Sequence, residues 1–361
     1  MRTLLVAVGV VLLVVIGLSL WHLNEYALTP GDATPVAPLV TIHGVATDKQ
    51  HDKIMLTDVY LTQLSAWQWV TMHFQSHVQF VPGNELVDPG VPSDELSAQG
   101  YLEMNGSKQA ASVAAFRSLG WTVPATPSGA IISAVVAPSP ARTAGLKVAD
   151  EVVGVDGTTV DSTCSLIGAV HDVAPSTVLR LRVRPAVISA SGNITWRAPE
   201  TVRVTTVATP SGASSTGCRA VSGPSRSYIG VALEDGVRYD LPARVSIDTA
   251  NIGGPSAGLA MTLTLIDQLS HGSLTGHHVI AATGTMDPSG DVGDVGGVAQ
   301  KTVAVANSGA KYFFVPEVEV PAARSAHEPG LTIIGVTSLH QVLKDLREIG
   351  GAPPTPITAP H

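Results

Sequence analysis

Gly253-Gly254-Pro255-Ser256-Ala257-Gly258 sits where a loop is expected to become a helix, over residues 254–269. Glycine lets a backbone approach a bound chain closely, and proline presets the first helical φ. A serine at that corner presents its hydroxyl and N–H at a helix N-terminus, where negative charge is stabilised. That placement suits an acyl-transfer nucleophile. The same residues also suit a plain helix cap, with the serine bonding to a first-turn N–H. A nucleophilic serine needs a base. The later histidines, His271, His277, His278, His327, His340 and His361, stand in no recognisable Ser-His-Asp context. Gly254-Pro255-Ser256-Ala257-Gly258 fits a Gly-x-Ser-x-Gly elbow only formally, because no strand directly precedes it. Lysine is the alternative base. Lys301 lies in Gly296-Gly297-Val298-Ala299-Gln300-Lys301-Thr302-Val303-Ala304, the start of a predicted helix nearly free of other charge. A lysine acts as a base only when neutral, and burial among Val and Ala lowers its pKa. It also has the ordinary option of snorkelling to solvent.

The elements that must position these residues read as mixed helix and strand. Strands are predicted at 228–233, 243–247, 279–282, 311–315 and 331–336, and helices at 298–308 and 338–349. Such alternation indicates an α/β or α+β domain over residues 228–349. Upstream, 130–136, 150–157 and 178–183 read as strands, with an Asp156-Gly157 hairpin turn and short helices at 139–146 and 162–172. Residues 93–119 are helical in pattern and end at Gly120. Residues 54–61 read as a strand and 64–74 as a short amphipathic helix. Residues 29–38 are rich in proline and small residues and read as a stalk, within a stalk and mixed α/β region, 27–123, without an assigned role. Residues 209–227 read as a Ser/Gly/Thr/Pro linker, and 350–361 as a Pro-rich disordered tail.

Composition bounds the partners. The 361 residues carry a formal net charge of −8, with 14% charged, 45% hydrophobic and 4% aromatic residues. No basic run or Arg-aromatic interleaving suggests nucleic-acid binding. Residues 4–23 are almost unbroken Leu, Val, Ile, Gly and Ala, long enough to span a bilayer. Arg2 precedes and Glu25 follows, so the N-terminus is expected in the cytoplasm and the body outside it. Trp21-His22-Leu23-Asn24 is a poor cleavage site, so residues 1–26 read as an uncleaved signal-anchor, with Trp21 and Tyr26 suited to the outer interface. Cys164 and Cys218 form no zinc pattern; in an oxidising compartment they would be free to pair. His73 and His77 have metal-ligand spacing but lack an intervening acid. Asp287, Asp291 and Asp294 around Gly290 miss the calcium-loop spacing and read as turn chemistry. No metal and no cofactor is expected.

Two resemblances follow. Ser139-Pro140-Ala141, Ala144-Gly145-Leu146 and Asp150-Glu151-Val152 through Asp156-Gly157 resemble a PDZ domain over residues 124–208. That resemblance implies an extended peptide, for instance a substrate C-terminus, added against a sheet edge. Its carboxylate would be held near Ser128, at Gly129, Ala130 and Ile131. The series Asn251 to Gly258, then Thr283-Gly284-Thr285-Met286-Asp287, then Gly290, then Val295 to Lys301 resembles the proteolytic domain of the Lon protease family. It implies a Ser256–Lys301 dyad, Thr283 orienting the amine, and an oxyanion and substrate loop around Gly253, Gly254 and Ala257. Lon proteases of the energy-dependent kind carry an ATPase module, but this sequence has no Gly-x-x-x-x-Gly-Lys-Ser/Thr. The whole arrangement resembles membrane-anchored, PDZ-containing Lon-like proteases of bacteria. The resulting expectation is a multidomain protein: an N-terminal transmembrane helix, a PDZ-like β-rich domain and an α+β Lon-type domain. It would be a single-pass, ATP-independent serine endopeptidase of the cell membrane, cleaving unfolded or flexible proteins. A homo-oligomer, a hexamer, is implied by the resemblance alone. The competing function is a PDZ scaffold whose Lon-like domain is inactive in isolation.

Overall fold

The computed structural model describes the chain except residues 1, 49–51, 87–90, 212–217, 219–226, 251 and 358–361. It divides into two compact units. The first comprises Met1–Pro38, Thr47–Pro89 and Ser256–Ile357; the second is built from Leu39–Ala46 and Gly90–Pro255.

The first unit is built on a mixed sheet. Among the described residues its strand order is Thr332–Val336, Tyr312–Pro316, Ile280–Ala282, Ile54–Ser65, His22–Pro35, Gln79–Pro82. The first four run parallel, and the last two joins are antiparallel. Parallel neighbours need crossovers, which the helix Val298–Asn307 and the short helix Val320–Ser325 supply. Met55, Ala281, Val298, Val305, Phe313, Val315 and Ala323 close the core between sheet and helices. Every residue of the helix Gly258–Leu269 is buried, so it is apolar nearly all round. Its hydroxyls are satisfied within the helix: Thr262 and Thr264 donate to the carbonyls of Gly258 and Ala260.

This sheet corrects the expected stalk. Residues 27–35 lie in His22–Pro35, an inner strand paired with Ile54–Ser65 as far as Pro35 and, at residues 25–28, with Gln79–Pro82. Their composition suggested a linker, but pairing overrides it, with register shifts beside Pro30 and Ala33 that absorb the proline and glycine. The apolar helix spans Arg2–Leu20, and the strand begins at His22, so residues 22–26 belong to the sheet. The tail also differs in part. Thr355–Pro356 pairs with Ser270–His271, while 358–361 lie outside the described residues.

The second unit holds a sheet ordered Glu200–Thr205, Val178–Arg184, Glu151–Val155, Ala125–Val135, Val231–Tyr239 among the described residues. Ala130, Ile132, Val152, Val155, Leu179, Leu181, Val183 and Val204 face Ala141, Leu166 and Val170 of the short helices. The alternation of Val178–Arg184, buried at Leu179, Leu181 and Val183, is the half-buried strand pattern. On the other face, Leu102 of the helix Ser93–Ser118 packs with Val148, Ala149 and Ile194. A disulfide joins Cys164 to Cys218. Most of the expected 209–227 linker lies outside the described residues. Residues 228–239, expected to open the Lon-like domain, belong here instead. Val231–Tyr239 pairs along Ala125–Val135, and Arg244–Ile247 pairs with Val40–His43.

Candidate active site

Ser256 ends a tightly held approach. In the second unit, Gly254 adopts φ +84° and its N–H donates to the Gly100 carbonyl at 2.9 Å. Ser107 Oγ donates to the Pro255 carbonyl at 2.9 Å. The helix begins at Gly258, later than expected, and its N-cap is Ala257, with no side-chain cap bond. Ser256 therefore does not use its hydroxyl as the cap. Gly284 clamps the Ser256 turn twice: it donates its N–H to the Ser256 carbonyl at 2.9 Å and accepts from the Leu259 N–H at 3.1 Å. Gly284 has φ +149°, and a Cβ there would stand 2.8 Å from Val292 Cγ1, so only glycine fits. The Gly254 N–H is spent on Gly100, which removes it as an oxyanion donor. Gly253 is exposed. Among the described residues nothing takes the N–H of Ser256 or Ala257.

Lys301 stands one turn into the helix Val298–Asn307. Gly297 starts that helix in the left-handed region, φ +68°, where a Cβ would meet Leu28 Cδ2 at 2.8 Å and Val59 Cγ1 at 3.0 Å. The close approach presses this first turn onto the strands His22–Pro35 and Ile54–Ser65. Lys301 is 3% exposed and does not snorkel. Its Nζ donates to Thr283 Oγ1 at 3.3 Å, and Thr283 Oγ1 donates to the Ser256 carbonyl at 3.3 Å. Thr283 is fully buried, with its own N–H on the Phe314 carbonyl at 3.0 Å. The threonine thus spends its one proton on the serine turn and its lone pair on the amine. Burial pulls the Lys301 pKa down to about 8, against the opposing pull of the Asp58 and Glu319 carboxylates.

Asp58 and Glu319 carried no assignment from sequence. Asp58 is the lone acid in the predicted strand at 54–61, half-buried, accepting the Asp32 N–H at 2.7 Å. A lone acid in an apolar strand was the available signal. Nothing in the sequence placed Glu319. Asp287 behaves as turn chemistry: its Oδ1 accepts from the N–H groups of Ser289, Gly290 and Asp291.

The opposite end of the Ser256 helix holds a second buried polar cluster. Asp267 Oδ2 accepts the Asp52 N–H at 2.9 Å, and Asp52 Oδ2 accepts the Thr275 N–H at 2.7 Å. Ser273 Oγ donates to Asp52 at 2.8 Å. Burial pushes the Asp267 carboxyl up to about 7.

The expected peptide groove at Gly129, Ala130 and Ile131 requires correction. Those residues face Gly236, Asp235 and Glu234 on one side, and Ala130 and Ile131 face Val152 and Glu151 on the other. A strand paired on both sides has no free edge to offer a peptide. The sheet ends instead at Val231–Tyr239, entered through Gly230 at φ +83° and lying beside the helix Thr163–His171, whose Thr163 N–H donates to Asp235 Oδ1 at 2.7 Å. The signal was Ile229-Gly230-Val231, which the boundary at 228 had assigned to the next domain.

Comparison with known proteins agrees with both parts. The family of the Lon protease (S16) C-terminal proteolytic domain matches residues 245–347, and the PDZ domain family matches residues 117–184. The Lon protease of Rickettsia felis is 29% identical over 109 residues, covering 29% of this chain and 14% of the relative. Lon protease 2 of Thermus thermophilus is 30% identical over 125 residues, 34% of this chain and 15% of the relative. The Lon protease of Campylobacter concisus is 31% identical over 115 residues, 30% of this chain and 14% of the relative. The chain thus spans only 14–15% of the length of these curated relatives. A solved PDZ domain of an SdrC-like protein from Listeria monocytogenes aligns over 29% of this chain and 86% of that one, at 16% identity and a TM-score of 0.21, and adds nothing to the family match. This chain carries a Lon-type proteolytic domain in residues 245–347 and a PDZ domain in residues 117–184.

Proposed function

We propose that the protein is a membrane-anchored serine endopeptidase that works through a Ser256–Lys301 dyad without ATP. The carrying observation is the buried amine of Lys301 on Thr283, whose hydroxyl in turn donates to the Ser256 carbonyl. A neutral lysine has a lone pair to accept the Ser256 proton. As Oγ attacks the scissile carbonyl, Lys301 takes that proton, and the N–H groups of Ser256 and Ala257 stabilise the oxyanion. The C–N bond breaks, Lys301 returns the proton to the leaving amine, and an ester to Ser256 remains. Water, deprotonated by Lys301, hydrolyses it.

The edge strand Val231–Tyr239 and the helix Thr163–His171 are the docking edge for an extended substrate segment. Substrates are unfolded or flexible, since the 361 residues hold no nucleotide-binding loop to drive unfolding. The helix Arg2–Leu20 is the anchor, and the body lies outside the cytoplasm. The charge order Arg2 before Glu25 and the Cys164–Cys218 disulfide, which suits an oxidising compartment, support that side. The test is cleavage of unstructured casein by the purified full chain, with a serine-reactive probe in parallel. Casein cleavage and probe labelling, both lost in Ser256→Ala, are expected. An inert, unlabelled wild type would favour the scaffold reading. Undiminished cleavage by Lys301→Gln would remove the dyad.

A further inference from the structure

The short helix Ala66–Met72 belongs to the first unit and begins where the apolar helix Arg2–Leu20 ends. The Ala66 N–H donates to the Trp21 carbonyl at 2.8 Å, and His22 pairs with Ser65. The helix is fixed by a capping box: the Gln68 N–H donates to Ser65 Oγ at 3.2 Å, and the Ser65 N–H donates to Gln68 Oε1 at 2.9 Å. On one side Trp69 lies 4.1 Å from the His73 ring, and His73 stacks on Phe80 at 4.2 Å, which holds the helix to the strand Gln79–Pro82. Trp69 is itself 40% exposed, and the other side also faces outward. Trp67 and Val70, at i and i+3, are 38% and 43% exposed, Phe74 in the turn that follows the helix is 87% exposed, and Trp21 is 65% exposed. Residues 59–84 contain no Asp, Glu, Lys or Arg.

We propose that this face seats the protease unit on the bilayer, with Trp67, Val70 and Phe74 entering the boundary between headgroups and acyl chains. The proposal rests on reading Arg2–Leu20 as a membrane anchor. Continuity identifies the occupant: the helix Ala66–Met72 is hydrogen-bonded at its first residue to Trp21, which directly follows the anchor helix. Tryptophan and phenylalanine flanked by uncharged polar residues match that boundary, where an aromatic body is buried and its polar tip stays wet. A helix lying in the interface plane enters by its apolar face alone, as this one would. No stalk intervenes, since the strand starts at His22, so the seat would hold the unit close to the membrane surface.

The experiment uses the full chain in nanodiscs made with acyl-brominated or plain phosphatidylcholine. Bromine quenches tryptophans that enter the bilayer. Trp21 and Trp67 are expected to be quenched, more by bromine near the headgroup than near the chain end. Trp67→Gln should lower the quenched intensity by roughly a third to a half. Phe74→Gln, in the turn after the helix, should weaken the remaining Trp67 quenching without disturbing the fold. A chain that incorporates and shows Trp21 quenching, yet is unaffected by both variants, overturns the seat and leaves the anchor standing. A chain that stays out of the discs overturns the anchor and the seat together.

Discussion

The two ends of the helix Gly258–Leu269 are opposite answers to the same burden. At its start, burial pulls a lysine down to about 8. At its far end, burial pushes a carboxyl up to about 7. One cause gives opposite directions because burial penalises charge of either sign. The surroundings differ in kind. Asp267 and Asp52 accept from backbone N–H groups and from Ser273, so that cluster is saturated with donors. Lys301 has Thr283 Oγ1 alone as its described partner. A saturated cluster stabilises local structure, while an under-satisfied amine is available for chemistry. Perturbed groups of this second kind collect at functional sites.

The comparison breaks most visibly at the amine. Ser256→Ala and Lys301→Met are each expected to reduce casein cleavage by at least about 10³-fold, as removal of a catalytic nucleophile or base does. Lys301→Met should also raise Tm. A depression from 10.5 to about 8 corresponds to roughly 3 kcal/mol of penalty on the folded state near neutral pH. The penalty is full below pH 8 and fades as pH rises towards 10.5, because the unfolded chain binds the extra proton in that window. Inactivation without a gain in Tm would mean that the amine is not desolvated.

Next in size is the clamp. Gly284→Ala places a methyl group against Val292 at a positive φ, and is expected to cost about 1–3 kcal/mol and most of the activity. Thermal unfolding and a casein assay check both parts, and an unchanged Tm would show that the turn relaxes.

The pH dependence of cleavage sharpens the contrast further. Cleavage should rise with pH through a midpoint near 8, as Lys301 loses its proton. Asp58→Asn removes the carboxylate with the larger opposing pull, so the midpoint should move to lower pH. A fixed midpoint would detach Asp58 from the amine. The smallest effect is expected at the saturated end. Because the Asp267 pKa is raised, the folded chain binds more protons than the unfolded chain between about pH 4 and pH 7, so stability falls as pH rises through that window. Asp267→Asn should flatten this slope in Tm while leaving the cleavage midpoint in place.

Much of this was legible along the chain. The uncharged stretch around Lys301 pointed to desolvation because that signal is local, and the resemblance to the Lon proteolytic domain implied Thr283 beside the amine. The strands and helices of residues 279–349 were near their predicted positions, since buried β-rich runs and capped amphipathic helices carry their periodicity with them. The misreadings involve partners far away in sequence. Residues 27–35 resemble a linker until Ile54–Ser65 pairs with them, and 231–239 resemble the next domain until they pair with 125–135. Ala130 and Ile131 lose their free edge to strands on both sides, Val231–Tyr239 and Glu151–Val155.

The residue types were enough to offer Ser256 as a nucleophile and Lys301 as a desolvated base beside their plainer readings, and the resemblance to the Lon proteolytic domain joined them and added Thr283. Which hydroxyl is left out of a cap, which amine loses its water, and which strand edge stays open were decided only in three dimensions. Burial and β pairing are set by residues tens to hundreds of positions apart, as with Asp52 and Asp267, 215 residues apart, which no local pattern encodes.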